Sequence, residues 1–121
     1  MNNQDFQTVT AVLQDYFEGL HQANTKRLSQ ICVEELVLSS PNLRRSRKEW
    51  FELIMARPIP QVEGHPFNYK ILSLDVIGDQ AMAKLSCPLL GSEYIDFIGL
   101  LKENGEWKII NKMYVDLIET N

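Results

Sequence analysis

Apolar residues recur at three- and four-residue steps over residues 4–22. Phe6, Val9, Leu13, Tyr16, Phe17 and Leu20 fall in one stripe, with Gln7, Asp15, Glu18 and Gln22 opposite, which is the period of an amphipathic helix. A shorter helix is predicted next, capped by Asn24 or Thr25 and buried through Leu28 and Ile31. Leu36, Val37 and Leu38 read as a short strand that ends at Ser39-Ser40-Pro41. A third helix starts at Ser46, because Ser46-Arg47-Lys48-Glu49 has the S-x-x-E form of a capping box. Trp50, Leu53 and Ile54 form its inner stripe, and Arg57-Pro58-Ile59-Pro60 ends it.

From there the period shortens to two. Residues 67–77 and 80–88 read as strands joined at Gly78-Asp79. Leu72, Leu74, Val76, Ala81, Ala83, Leu85 and Cys87 share one face, while Tyr69, Ile71, Ser73, Asp75, Met82, Lys84 and Ser86 share the other. A turn at Leu89-Leu90-Gly91-Ser92 pairs Leu85 with Asp96 and Ala83 with Ile98. The last hairpin, residues 94–115, turns at Asn104-Gly105, a pair that favours a two-residue type I′ turn and so fixes register. Regular pairing opposes Glu103 to Glu106, Leu101 to Lys108, Phe97 to Lys112 and Asp96 to Met113. It puts Tyr94, Asp96, Ile98, Leu100, Trp107, Ile109, Asn111 and Met113 on one face. Ile95, Phe97, Leu101, Ile110, Lys112 and Tyr114 take the other. Both faces are largely apolar, so both need covering.

Helices early and strands late predict an α+β fold, one domain over residues 1–121, with three helices on one face of a strongly curved sheet. A bent sheet closed by helices makes a cone with an interior pocket. The formal charge of −4 argues against a nucleic-acid binder, and no apolar run approaches the roughly 20 residues that span a bilayer. The first residues, MNNQDFQTV, lack a basic stretch followed by an apolar core. Cys32 and Cys87 lie far apart without CxxC spacing, as free thiols in a reducing compartment do. The expectation is a cytoplasmic protein.

Three strings carry a resemblance: VLQDYFEGLHQANTKRL (12–28), KEWFELI (48–54) and YIDFIGLLKENGEWKIINKMY (94–114). They resemble the nuclear transport factor 2-like superfamily, also called SnoaL-like or the cystatin-like cone. Within it they are most similar to the small bacterial family labelled putative lumazine-binding proteins. The third string matches that family's closing signature, Asp-x-x-x-x-Leu-Lys-x-x-Gly-x-Trp-Lys-Ile-x-Asn-Lys. The resemblance implies a mostly antiparallel mixed sheet and a homodimer packed through the outer sheet face, here Ile95, Phe97, Leu101, Ile110 and Tyr114. Ketosteroid isomerases share the fold and use a tyrosine on the first helix, matched by Tyr16. The position of their general base corresponds to Ser40, which cannot take a proton as a carboxylate does.

Asp96 is the sharpest candidate for chemistry: an inner-face carboxylate flanked by Tyr94 and Ile98, where desolvation raises a pKa toward general acid–base use. A structural aspartate bonded to a neighbouring amide is the plainer alternative. Asn111 could orient a ligand carbonyl or bond Asp96 or Tyr16, and Tyr16 offers a ring with a polar tip. Trp50, Phe51, Met55, Trp107 and Met113 could wall an apolar pocket or simply form core. The ligand-binding set is therefore Tyr16, Trp50, Asp96, Asn111 and Met113, with Asp96 and Tyr16 the catalytic pair of any reaction. His21 and His65 show no metal-ligand spacing, so no metal is expected. Arg44, Arg45, Arg47 and Lys48 form one basic run at the start of the third helix, where a bound anion is conceivable. No GxSxG, phosphate loop or GxGxxG is present, and no cofactor is expected. Three functions fit: a small-molecule binder for an aromatic or heterocyclic ligand; a cofactor-independent isomerase, cyclase or hydratase; or a dimeric interaction domain with a filled cone.

Overall fold

The structure, a computed structural model, describes residues 3–118. Helix α1 (Asn3–Gln22) leads into α2 (Thr25–Ile31), then strands β1 (Cys32–Ser40) and β2 (Leu43–Ser46), helix α3 (Arg47–Ala56), and strands β3 (Lys70–Ile77), β4 (Gln80–Leu89), β5 (Ser92–Glu103) and β6 (Glu106–Asp116). The six strands form one sheet in the order β2-β1-β6-β5-β4-β3. The β1–β6 pair is parallel and the others antiparallel. This is the expected α+β cone.

Local chemistry sets the helix boundaries. Val9, Leu13, Tyr16, Phe17 and Leu20 of α1 are buried as one stripe, whereas Phe6 at its start is 41% exposed. Asn24 caps α2 by accepting from the Arg27 amide at 3.0 Å. Ser46 and Glu49 form the reciprocal capping box of α3, at 3.1 and 2.8 Å. Strand β2 was not legible: Leu43-Arg44-Arg45-Ser46 has no alternation, and it is a strand because it pairs with residues 37–40 of β1.

Two bulges correct the expected faces. In β3, Ile71 pairs with Leu85 and Ser73 with Lys84, so Leu72 is supernumerary. Leu72 is accordingly 48% exposed, while Tyr69 beyond it is buried and Ile71 packs on the core. In β6, Leu100 pairs with Ile109 but Gly99 with Asn111, leaving Ile110 extra. Past that point every β6 side chain sits opposite to its expected face. Asn111 and Met113 lie on the outer face; Lys112 and Tyr114 turn inward. Met113 is 55% exposed and Lys112 only 7%. Phe97 keeps its place on the outer face, 41% exposed. Gly99 makes room for this bulge: its amide donates to Asn111 Oδ1 at 3.0 Å, and a Cβ there would lie 2.5 Å from the same oxygen. Each bulge bends and twists its strand, which curves the sheet around the helices.

Candidate functional site

A cleft of about 420 Å³ opens into the concave side of the sheet. Its apolar walls are Leu38 of β1, Trp50 and Leu53 of α3, and Leu89 of β4. Its polar side chains are Arg45 of β2, Arg57 just after α3, Tyr94 and Asp96 of β5, and Lys112 and Tyr114 of β6.

Asp96 anchors the deepest polar cluster and is 2% exposed. The Tyr16 hydroxyl donates to Asp96 Oδ2 at 2.6 Å, and Lys112 Nζ lies 3.6 Å from the same oxygen. The Lys112 ammonium also sits 4.4 Å from the Trp50 ring centroid and 5.2 Å from that of Tyr16. A buried carboxylate is tolerable only when paired and hydrogen-bonded, and here the lysine neutralises it while two aromatic faces hold the lysine. Burial first, and then the Asp96 charge, push the Tyr16 hydroxyl well above its ordinary value. It therefore stays a donor to Asp96. Tyr16 is fully buried beneath the carboxylate and is not among the residues lining the cleft.

Of the expected site residues, the structure brings Tyr16, Trp50 and Asp96 together. Asn111 and Met113 are excluded by the Ile110 bulge: Asn111 bonds the Gly99 amide, and Met113 lies with Phe97 and Ser40 in a shallow groove on the outer face. Ser40, at the position of the isomerase base, is likewise outside the cleft. Four polar cleft residues escaped the sequence reading. Lys112 and Tyr114 were hidden by the bulge and Arg57 by the Pro-rich stop. Arg45 lay within the basic run, which the structure divides. Arg44 donates to the Ser40 and Leu43 carbonyls, Arg47 to that of Cys32 at 2.9 Å, and Lys48 pairs with Glu52. Arg45 alone of the four lines the cleft, its Nη1 donating to the Tyr114 hydroxyl at 3.3 Å.

His21 is a core residue, 3.0 Å from the Tyr69 hydroxyl through Nδ1. Among the described residues no group of three His, Cys, Asp or Glu could hold a metal. Both cysteines are buried and free. Burial pushes the Cys32 thiol up to about 12, and burial with the Asp96 charge pushes Cys87 up as well, so neither is a nucleophile at neutral pH. Burial also raises Tyr69 to about 12. Cys32, Cys87, Tyr16 and Tyr69 are all held neutral by the fold, with folded values above the unfolded ones of 9.0 for thiol and 10.0 for phenol. Their contribution to stability is complete below about pH 9 and is lost as pH rises toward about 12. Urea midpoints measured across that window should fall steadily; a flat profile would contradict the burial of these groups.

The sequence matches the family described as "Putative lumazine-binding" over residues 4–115. Comparison with curated proteins gives no match. Among solved structures, a nuclear transport factor 2-like protein of unknown function from Shewanella baltica OS155 is similar at 22% identity and TM-score 0.82, over 96% of either chain. Another from Silicibacter pomeroyi DSS-3 is 21% identical with TM-score 0.77, covering 96% of this chain and 99% of its own. One from Methylobacillus flagellatus KT is 18% identical with TM-score 0.75, covering 96% and 94%. At these identities the structures speak for the fold, while the family match runs through both the first helix and the final hairpin that frame the cleft. The chain thus belongs to the putative lumazine-binding family and has the fold of the nuclear transport factor 2-like proteins.

Proposed function

We propose that the protein binds a small planar heterocyclic ligand in the cleft between α3 and the concave sheet. The observation that carries this reading is the cleft itself. Its volume of about 420 Å³ falls within the roughly 300–1,000 Å³ of small-molecule sites, and an aromatic wall meets a few fixed polar groups there. The lumazine label of the family points the same way, since lumazine is a flat heterocycle. Acid–base catalysis by Asp96 and Tyr16 is the weaker reading: each occupies the other in a 2.6 Å hydrogen bond, and Lys112 compensates the carboxylate. A cone filled by its own side chains is weaker still, given the cleft. The buried free cysteines fit a reducing cytoplasm. Thermal unfolding with a panel of pteridines, flavins and purines tests the reading. A binder present at 100 times its Kd should add about 2.7 kcal/mol and alter Trp50 fluorescence. A panel in which no compound does either would overturn it.

A second reading rests on the opposite face of the sheet. We infer that Ile95, Phe97, Leu101 and Ile110, joined by Met113 rather than Tyr114, pair with a second copy of the chain. Phe97 and Met113 stand cross-strand from each other, 41% and 55% exposed, an apolar patch of the kind that marks an interface. Sedimentation at micromolar concentration should give a dimer, and Phe97→Glu should give a monomer because the dimer would bury an unpaired charge. A monomeric parent protein would overturn this inference.

A further inference from the structure

The charge of the cleft runs against that of the chain. The whole sequence carries −4, yet the cleft is lined by three cations, Arg45, Arg57 and Lys112, against one carboxylate, Asp96, a formal +2. Lys112 is already compensated by Asp96 at 3.6 Å. Arg45 and Arg57 make no ion pair among the described residues; Arg45 bonds only the neutral Tyr114 hydroxyl. Arg57 Nη2 is buried without a hydrogen-bond partner. A buried donor left unmade costs free energy, more so on a charged group. Native sites carry such a cost where a ligand relieves it. The guanidinium is a rigid planar fork, matched to the two oxygens of a carboxylate. Tyr94 and Tyr114, edge-to-face at 5.7 Å, and Trp50 supply flat surface in the same cleft.

Building on the proposed ligand-binding reading, we propose that the ligand is an aromatic acid, its carboxylate held by Arg57 with Arg45 as second cation and its ring against the aromatic walls. The Asp96–Lys112 pair stays intact beneath it, and the anion preference resides in the two arginines.

Calorimetry on the full chain with matched pairs tests this: 2-naphthoate against 2-naphthamide, indole-3-acetate against indole-3-acetamide, and 6-carboxylumazine against its primary amide. The acid of a pair should bind about tenfold or more tightly, the scale of one charge-assisted hydrogen bond, and the margin should shrink with added salt. Arg57→Gln should remove most of the preference, weakening the acid far more than the amide, and Arg57→Lys should restore part of it. Because Arg57 ends α3, Arg45→Gln serves as a second variant away from that helix end and should weaken the acid more than the amide. Acid and amide binding equally to the parent protein would overturn the anion assignment and leave the cleft a binding site. Binding of neither member of any pair would overturn both.

Discussion

Asp96→Ala should destabilise the protein by about 3–5 kcal/mol, the cost of leaving a buried charge without its partner. The side chains of Lys112 and Asp96 are only 9% and 3% exposed, so the ammonium left behind stays largely shielded from water between the Trp50 and Tyr16 rings. The Tyr16 hydroxyl, fully buried, loses its acceptor in the same step. Asp96→Asn keeps an acceptor for Tyr16 and removes only the charge, so it should recover part of the loss. The pair as a whole is another matter. A double variant, Asp96→Leu with Lys112→Met, should lose less than Asp96→Ala, because apolar replacements of a buried ion pair escape the desolvation of both ions; the unmade bond of the Tyr16 hydroxyl is the cost that remains. Urea unfolding of the singles and the double measures the coupling directly. A loss below about 1 kcal/mol in Asp96→Ala would mean that Lys112 is not confined as described.

The same cluster shows where the sequence could be read and where it could not. The β4–β5 register was legible: alternation in both strands agrees with the Leu90-Gly91 turn, and Leu85 does oppose Asp96 as Ala83 opposes Ile98. Asn104-Gly105 also delivers its I′ turn, with φ of 53° and 79°, and the first pairs, Glu103–Glu106 and Leu101–Lys108, follow. The reading fails at Ile109-Ile110 and again at Ile71-Leu72. In each place two adjacent apolar residues satisfy either phase of a period-two pattern, so the supernumerary residue leaves no trace in hydrophobicity. A one-residue slip then sends every later side chain to the other face. That exchanged Asn111 and Met113 for Lys112 and Tyr114, and with them the polarity of the site. A cue did exist. Gly99 sits inside the apolar run 97–101 of β5, where a glycine marks a bulge or a close approach; here it faces Asn111 across the bulge. Arg57 had no comparable signal. Its side chain enters the cleft because the residue before Pro58 is held extended, at φ −100° and ψ 164°, and burial is set by the sheet it meets, not by its neighbours in the chain.

Trp50→Ala should cost about 3–5 kcal/mol, as for a large aromatic removed from a packed site, and lower Tm by about 10–20 °C. Trp50 is 3% exposed, with ring centroids at 6.3 Å from Tyr16 and 5.4 Å from Phe51. Its indole face also carries the Lys112 ammonium, a contact worth up to about 2 kcal/mol when desolvated. Trp50→Phe retains a π face and Trp50→Leu refills volume without one, so the difference between them isolates the ring–cation share. Trp107, 5% exposed and bonded to Asp5 through Nε1, remains in every variant to report unfolding. Ligand binding separates this residue from the arginines. Loss of an aromatic wall should weaken an acid and its amide by the same factor, whereas loss of Arg57 should weaken the acid far more than the amide. If Trp50→Phe, which disturbs packing least, changed the acid-to-amide ratio, the indole would be acting through the charge of Lys112, and the division of the cleft into aromatic walls and an arginine anion site would have to be redrawn.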